Sequence, residues 1–162
     1  MKKVLKVSIV LLMCLSLFFT MGFEKKSELV LTNVETTVIK SEHILRYDFR
    51  IKNTGSQRIF GTFDYPGHHS YGLEVTVRPY DKLASLMEIQ QNTVFRKMQF
   101  RGGSSEGILE PGKEASFHAE FQIKENVDVG KVKSTSLEGV LLILDGPKVI
   151  AEIPLADSLN KK

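Results

Sequence analysis

The chain has 162 residues, of which 42% are apolar and 25% charged, and a formal charge of +3. Its single cysteine, Cys14, lies in an apolar N-terminal run. A chain that has shed that run can hold no disulfide, thiol nucleophile, cysteine zinc site or iron–sulfur cluster.

The first 22 residues read as a secretory signal. Lys2, Lys3 and Lys6 form a positive start, Val7 to Phe19 an uncharged core, and Thr20-Met21-Gly22 a small-residue cleavage site. An uncleaved anchor is the alternative, since Val7 to Phe23 falls only slightly short of a bilayer span. Leu11-Leu12-Met13-Cys14 is a poor lipidation site, because Met13 is bulky where a small residue precedes the cysteine. Either form places the protein outside the cytoplasmic membrane, secreted or tethered by its N-terminal segment. Loss of Lys2, Lys3 and Lys6 leaves 19 basic against 19 acidic residues. The basic excess therefore belongs to the leader and gives no reason to expect nucleic-acid binding. Residues 23–27 form a short polar linker, 28–156 one β domain and 157–162 a polar tail. About 140 residues suffice for one apolar core.

Alternation with period two dominates the domain. Glu28 to Lys40 is rich in β-branched residues and reads as one long strand with a bend near Asn33. From His43 to Lys52, Leu45, Tyr47, Phe49 and Ile51 share one face, while Arg46, Asp48, Arg50 and Lys52 share the other. Asn53-Thr54-Gly55-Ser56 then turns the chain. Arg58 to Phe63 and Leu73 to Arg78 are short strand candidates. Lys82 to Gln90 is the one segment with helical spacing, through Leu83, Leu86 and Met87, although a strand or a plain crossover fits nearly as well. Thr93 to Phe100 reads as a further strand. After the Pro111-Gly112 turn, Glu114 to Lys124 alternates again, with Ala115, Phe117, Ala119, Phe121 and Ile123 inward and Ser116, His118, Glu120 and Gln122 outward. Val140 to Leu144 and Val149 to Leu155 flank Asp145-Gly146-Pro147 as a hairpin. About seven or eight short strands with regular turns predict an all-β, antiparallel immunoglobulin-like β-sandwich, with a small barrel as its rival.

Two turn motifs carry a family resemblance. Phe49-Arg50-Ile51-Lys52-Asn53-Thr54-Gly55 resembles the strand-then-KNTG edge of secreted bacterial immunoglobulin-like domains, and Leu109-Glu110-Pro111-Gly112-Lys113 resembles their L-x-P-G turn. The order of Phe63, Gly67, Tyr71, Leu73 and Val75 is similar to that of the intracellular proteinase inhibitor family of bacilli. The resemblance covers residues 28–125 and implies the fold, while function does not follow from fold.

Two loops are the candidate sites. Asp64-Tyr65-Pro66-Gly67-His68-His69-Ser70-Tyr71 combines aromatics, histidines and a carboxylate. Tyr65 and Tyr71 suit contact with a partner, because a tyrosine offers large area at low entropic cost. Asp64, His68 and His69 suit a metal such as zinc by chemistry, but their spacing is not that of a metal motif, so no metal or other cofactor is expected. Arg101 to Gly107, with Arg101, Ser104 and Ser105, reads as a mobile glycine-rich connection. No G-x-S-x-G elbow is present and His118 has no motif-linked serine, so no catalytic residue is expected. The sequence therefore predicts a non-enzymatic binding module of the cell envelope that contacts a protein or a wall component through loops or a sheet edge. A protease inhibitor and an extracytoplasmic metal binder are the alternatives.

Overall fold

Which side chains can leave water together decides the layout. The structure, a computed structural model, describes residues 28–63, 72–105 and 107–157. The leader, the linker and the Asp64 to Tyr71 loop lie outside the described residues. In β2 (Ile44–Asn53) the side chains of Leu45, Tyr47, Phe49 and Ile51 are buried, as are Ala115, Phe117, Ala119 and Phe121 of β7 (Glu114–Gln122). These two strands pair in register, Phe49 opposite Phe117, so their apolar faces coincide. β1 (Leu29–Ile39) and β5 (Phe100–Ser105) flank them, giving the order β1-β2-β7-β5. The expected bend in β1 is a register shift between Leu31 and Asn33 that turns Thr32 outward. A 3-10 turn (Lys40–Glu42) and His43, at a left-handed φ of 53°, connect β1 to β2.

The second sheet, in the order β4-β8-β9, holds β4 (Glu74–Pro79), β8 (Gly139–Asp145) and β9 (Lys148–Pro154). Val75, Val77, Leu141, Ile143 and Ala151 join the first sheet's inward residues in one buried cluster. All strand pairs are antiparallel, and each of these sheets keeps two outer strands, so neither closes into a barrel. Gly146, at φ 56°, makes the expected β8–β9 turn. A two-stranded ribbon of β3 (Ile59–Phe60) and β6 (Ile108–Leu109) completes the strands.

Three expectations change. Thr93 to Gln99 is not a strand beyond one isolated bridge at Met98, and Phe100 already opens β5. All seven residues of β8 are buried, so its outer face also needs a cover. The chain folds back on itself there, with Asn92 and Arg96 left-handed, and lays Phe95 over Val140, Leu142 and Leu144. The Lys82 to Gln90 segment makes a single turn, α1 (Asp81–Ala84), before Met87 and Ile89 enter isolated bridges. A second helix, α2 (Val129–Thr135), was not foreseen. Asp128 caps it by accepting from the Gly130 amide at 2.8 Å, and Val132 alone is its buried anchor.

The two turn motifs meet at one buried side chain. Asn53 donates from Nδ2 to Gln57 O at 2.7 Å and to Leu109 O at 2.9 Å, and its Oδ1 accepts from the Gly55 amide at 2.9 Å. Its backbone N–H reaches Lys113 O and its carbonyl accepts from Gly112 N. Asn53→Ala should lower stability by about 3 kcal/mol, because it strips the buried Leu109 carbonyl, the Gln57 carbonyl and the Gly55 amide of their partner; urea denaturation checks this. The opposite sign is expected at Thr76. Its hydroxyl is fully buried with no hydrogen-bond partner, on β4 opposite Leu142. Thr76→Val should raise stability by up to about 1 kcal/mol in the same assay.

Candidate functional site

Register builds the most developed polar surface among the described residues. On the outward face of the four-stranded sheet, Glu35 of β1 lies opposite Asp48 of β2, Asp48 opposite His118 of β7, and His118 opposite Ser104 of β5. One row of polar side chains thus crosses the whole sheet. Alternation forces this for three of them, since Glu35, Asp48 and His118 neighbour the inward Val34, Phe49 and Phe117, and pairing with His118 adds Ser104. Asn33, Arg50 and Ser116 form the next row. Together the two rows line an open groove of about 270 Å³.

The charges here are tied to each other. Arg46 grips Asp48, with Nη2 to Oδ1 at 2.7 Å and Nε to Oδ2 at 3.0 Å, and extends Nη1 to Glu120 at 3.4 Å. The Arg46 hydrogen bonds hold the Asp48 carboxyl below the usual carboxylate range, against partial desolvation, and His118 adds a small push in the same direction. Asp48 in turn raises the Arg46 guanidinium. Ser104 Oγ and His118 Nδ1 are 2.7 Å apart, a hydrogen bond whose donor depends on the imidazole tautomer.

A serine, a histidine and an aspartate in line invite comparison with a catalytic triad, and the geometry differs in two respects. The Asp48 carboxylate is bonded by Arg46 and reaches His118 only through space, so it does not orient the imidazole. The amides of β2 and β7 lie in the sheet plane within their ladders, and cannot converge on an oxyanion above its face. Among the described residues no three His, Cys, Asp or Glu side chains form a metal-holding group.

The sequence-predicted residues divide. Asp64, Tyr65, His68, His69 and Tyr71 lie outside the described residues, but the ends of their loop are tightly held. The buried Asp145 carboxylate accepts from the Thr62 amide and the Phe63 amide, each at 2.8 Å, and from the Thr62 hydroxyl at 2.5 Å. A Cβ on Gly61 would come within 2.9 Å of the Gly72 carbonyl carbon, so only glycine lets the two ends of the loop approach this closely. Arg101, Ser104 and Ser105 are brought to the sheet, and the expectation of a mobile connection is overturned. Residues 101–105 belong to β5, where Gly103 packs so close to His118 O that a Cβ would clash at 2.6 Å. These glycines serve close strand approach instead of mobility. The row itself was missed because Ser104 and His118 are joined only by a register invisible to local patterning.

Sheet edges are poor docking sites here, since each carries a device that discourages a further strand. The Lys133 ammonium of α2 bonds the Thr36 carbonyl of β1. β5 is bulged between Phe100 and Gly102, and Met98 N already bonds Val77 O on the side of β4. β9 is bulged opposite Ile143–Leu144 and ends in Pro154. Among the described residues no helix is long and apolar enough to cross a membrane. Comparison of the chain with protein-family models, with curated proteins and with solved structures finds no match.

Asp145 makes the loop anchor pH-dependent. Burial alone would raise its carboxyl pKa, but the Thr62 hydroxyl, the Phe63 and Thr62 amides and the Lys148 charge outweigh burial and leave it lowered. A lowered carboxyl contributes stability above its unfolded pKa, about 3.9, and loses it as pH falls through the folded value. Asp145→Asn should cost about 2 kcal/mol at pH 7, and the gap to the unsubstituted protein should narrow below about pH 4. Denaturant titrations at the two pH values read both effects.

Proposed function

We propose that this protein is an immunoglobulin-like β-sandwich that works by binding, outside the cytoplasmic membrane, to a protein or wall component of the bacterial envelope. The observation that carries this reading is the Glu35–Asp48–His118–Ser104 row, a preformed polar stripe on an open face. Its side chains offer donors and acceptors in fixed positions, which suits recognition of a polar surface, and the sheet beneath them is rigid. The resemblance of the Asn53 and Pro111 turns to those of secreted immunoglobulin-like domains supports the same assignment. The leader supports the location. The Asp64 to Tyr71 loop is the second contact region in this proposal, its Thr62–Phe63 end held by Asp145.

A non-enzymatic role fits the bonding of Asp48 to Arg46 better than a hydrolytic one.

The test is covalent capture from native envelope by residues 23–162. Beside it run a Glu35→Ala/His118→Ala variant and a copy with residues 64–71 replaced by Gly/Ser. A saturable partner that the double variant captures at least about tenfold less well, the loss of one or two polar contacts, supports the sheet face. Capture lost only in the loop replacement moves the site to the loop. No specific partner in any arm overturns the binding reading.

A further inference from the structure

Of the large apolar side chains that the described domain shows to water, Phe60 and Ile108 form a cross-strand pair, and they stand at the end where the leader joins. β3 and β6 alternate as strands do. Ile59 and Leu109 face the core, and the cross-strand pair Phe60 and Ile108 faces away, 39% and 47% exposed. Phe63, also 39% exposed, follows on the same segment. The Arg58 guanidinium stands 5.0 Å from the centre of the Phe60 ring, so a cation accompanies the apolar pair. Glu28, the first described residue, is fastened beside this ribbon. Its carbonyl accepts from the Thr54 amide at 2.7 Å and hydroxyl at 2.8 Å, and the neighbouring Asn53 side chain bonds Leu109 of β6. The apolar run Val7 to Phe19 thus connects, through residues 23–27, to the same end of the domain. Five linker residues reach at most about 17 Å.

We propose that the β3–β6 ribbon seats this domain on an anionic lipid surface, with Phe60 and Ile108 entering the headgroup boundary and Arg58 meeting lipid phosphate. The choice of bilayer, the outer surface of the cytoplasmic membrane, rests on the extracytoplasmic reading above. Three observations select lipid over other occupants. An exposed aromatic and aliphatic pair with an adjacent arginine is the composition that partitions to a bilayer interface. The apolar run Val7 to Phe19 lies outside the described domain and joins it at this end through the short polar linker. The ribbon is only two residue pairs long, too small a face for a stable protein dimer.

The protein contains no tryptophan, so each introduced one is a unique reporter. Full-length chains carrying Phe60→Trp, Ile108→Trp or, as a control, Val94→Trp are reconstituted with phosphatidylglycerol/phosphatidylcholine vesicles. Val94 is 90% exposed on the segment that covers the other sheet. The expected result is blue-shifted emission that brominated lipid quenches at positions 60 and 108, with position 94 quenched by aqueous iodide instead. Arg58→Ala should lower partitioning of the residue 23–162 form to the same vesicles about fivefold, the effect of one basic residue at an anionic surface. Thermal melts confirm folding, and Ile108→Trp decides alone if Phe60→Trp does not fold.

Iodide quenching at positions 60 and 108 equal to that at position 94 overturns the proposal. So does protection of positions 60 and 108 without vesicles in a chain that light scattering finds dimeric, which would make a second copy the occupant. Fractionation of the untagged chain is scored separately: recovery in the cytoplasm defeats the extracytoplasmic reading and leaves the vesicle result to judge the ribbon.

Discussion

A single buried amide organises one end of this protein. Asn53 terminates β2, and its side chain spends both N–H groups and its oxygen on backbone groups from the following turn and from β6. Its main chain binds the turn that launches β7. A buried asparagine is costly unless fully satisfied, and once satisfied it permits one arrangement of the segments around it. The two turns that flank the central strand pair are therefore fixed relative to each other. With them is fixed the register that aligns Asp48, five residues before Asn53 on β2, with His118.

That register also decides what the outward sheet face can do. Four strands each contribute one polar side chain to a line, and the face gains a mixed pattern of carboxylate, imidazole and hydroxyl. The flatness on which the proposed binding role rests differs from the geometry of a catalytic pocket. Transition-state stabilisation requires donors converging from several directions in a dry pocket, and a pleated face presents side chains in parallel to water. The guanidinium of Arg46 reinforces this by occupying the carboxylate that would otherwise turn the imidazole.

Much of this was legible in the residues. Strong alternation at Leu45 to Ile51 and Ala115 to Phe121 marked the central strands, because each has one face in water. Asn33 marked the bulge, and Asp145-Gly146-Pro147 the hairpin. Reading failed where long-range needs override local ones. Residues 93–100 have strand composition, yet the outer face of β8 needed a cover, and Phe95 supplied it. Residues 101–105 have loop composition, yet their glycines allow the chain to press against β7. The helix after Asp128 has one buried residue and so almost no periodic signal. Asn53 was recognised as part of a turn, but its role in joining two turns depends on contacts 56 residues apart in sequence.

β8 has a consequence for how the chain survives before it is folded. Val140 to Leu144 is five consecutive apolar residues without an interrupting charge, the composition that self-associates as stacked strands when exposed. Antiparallel strands commonly leave one face wet, and here both faces depend on separate covers. The inner face is shielded by the opposite sheet, whereas the outer face is shielded by Val149 and by one folded-back segment held through Phe95, the Lys97–Glu74 pair and the Met98–Val77 backbone bond. Opening of that segment alone would bare a sticky strip while the rest of the domain stayed native. Proteostasis of this protein accordingly turns on a dozen residues around Phe95 more than on its global stability, and nascent chains are most vulnerable between synthesis of β8 and docking of that cover.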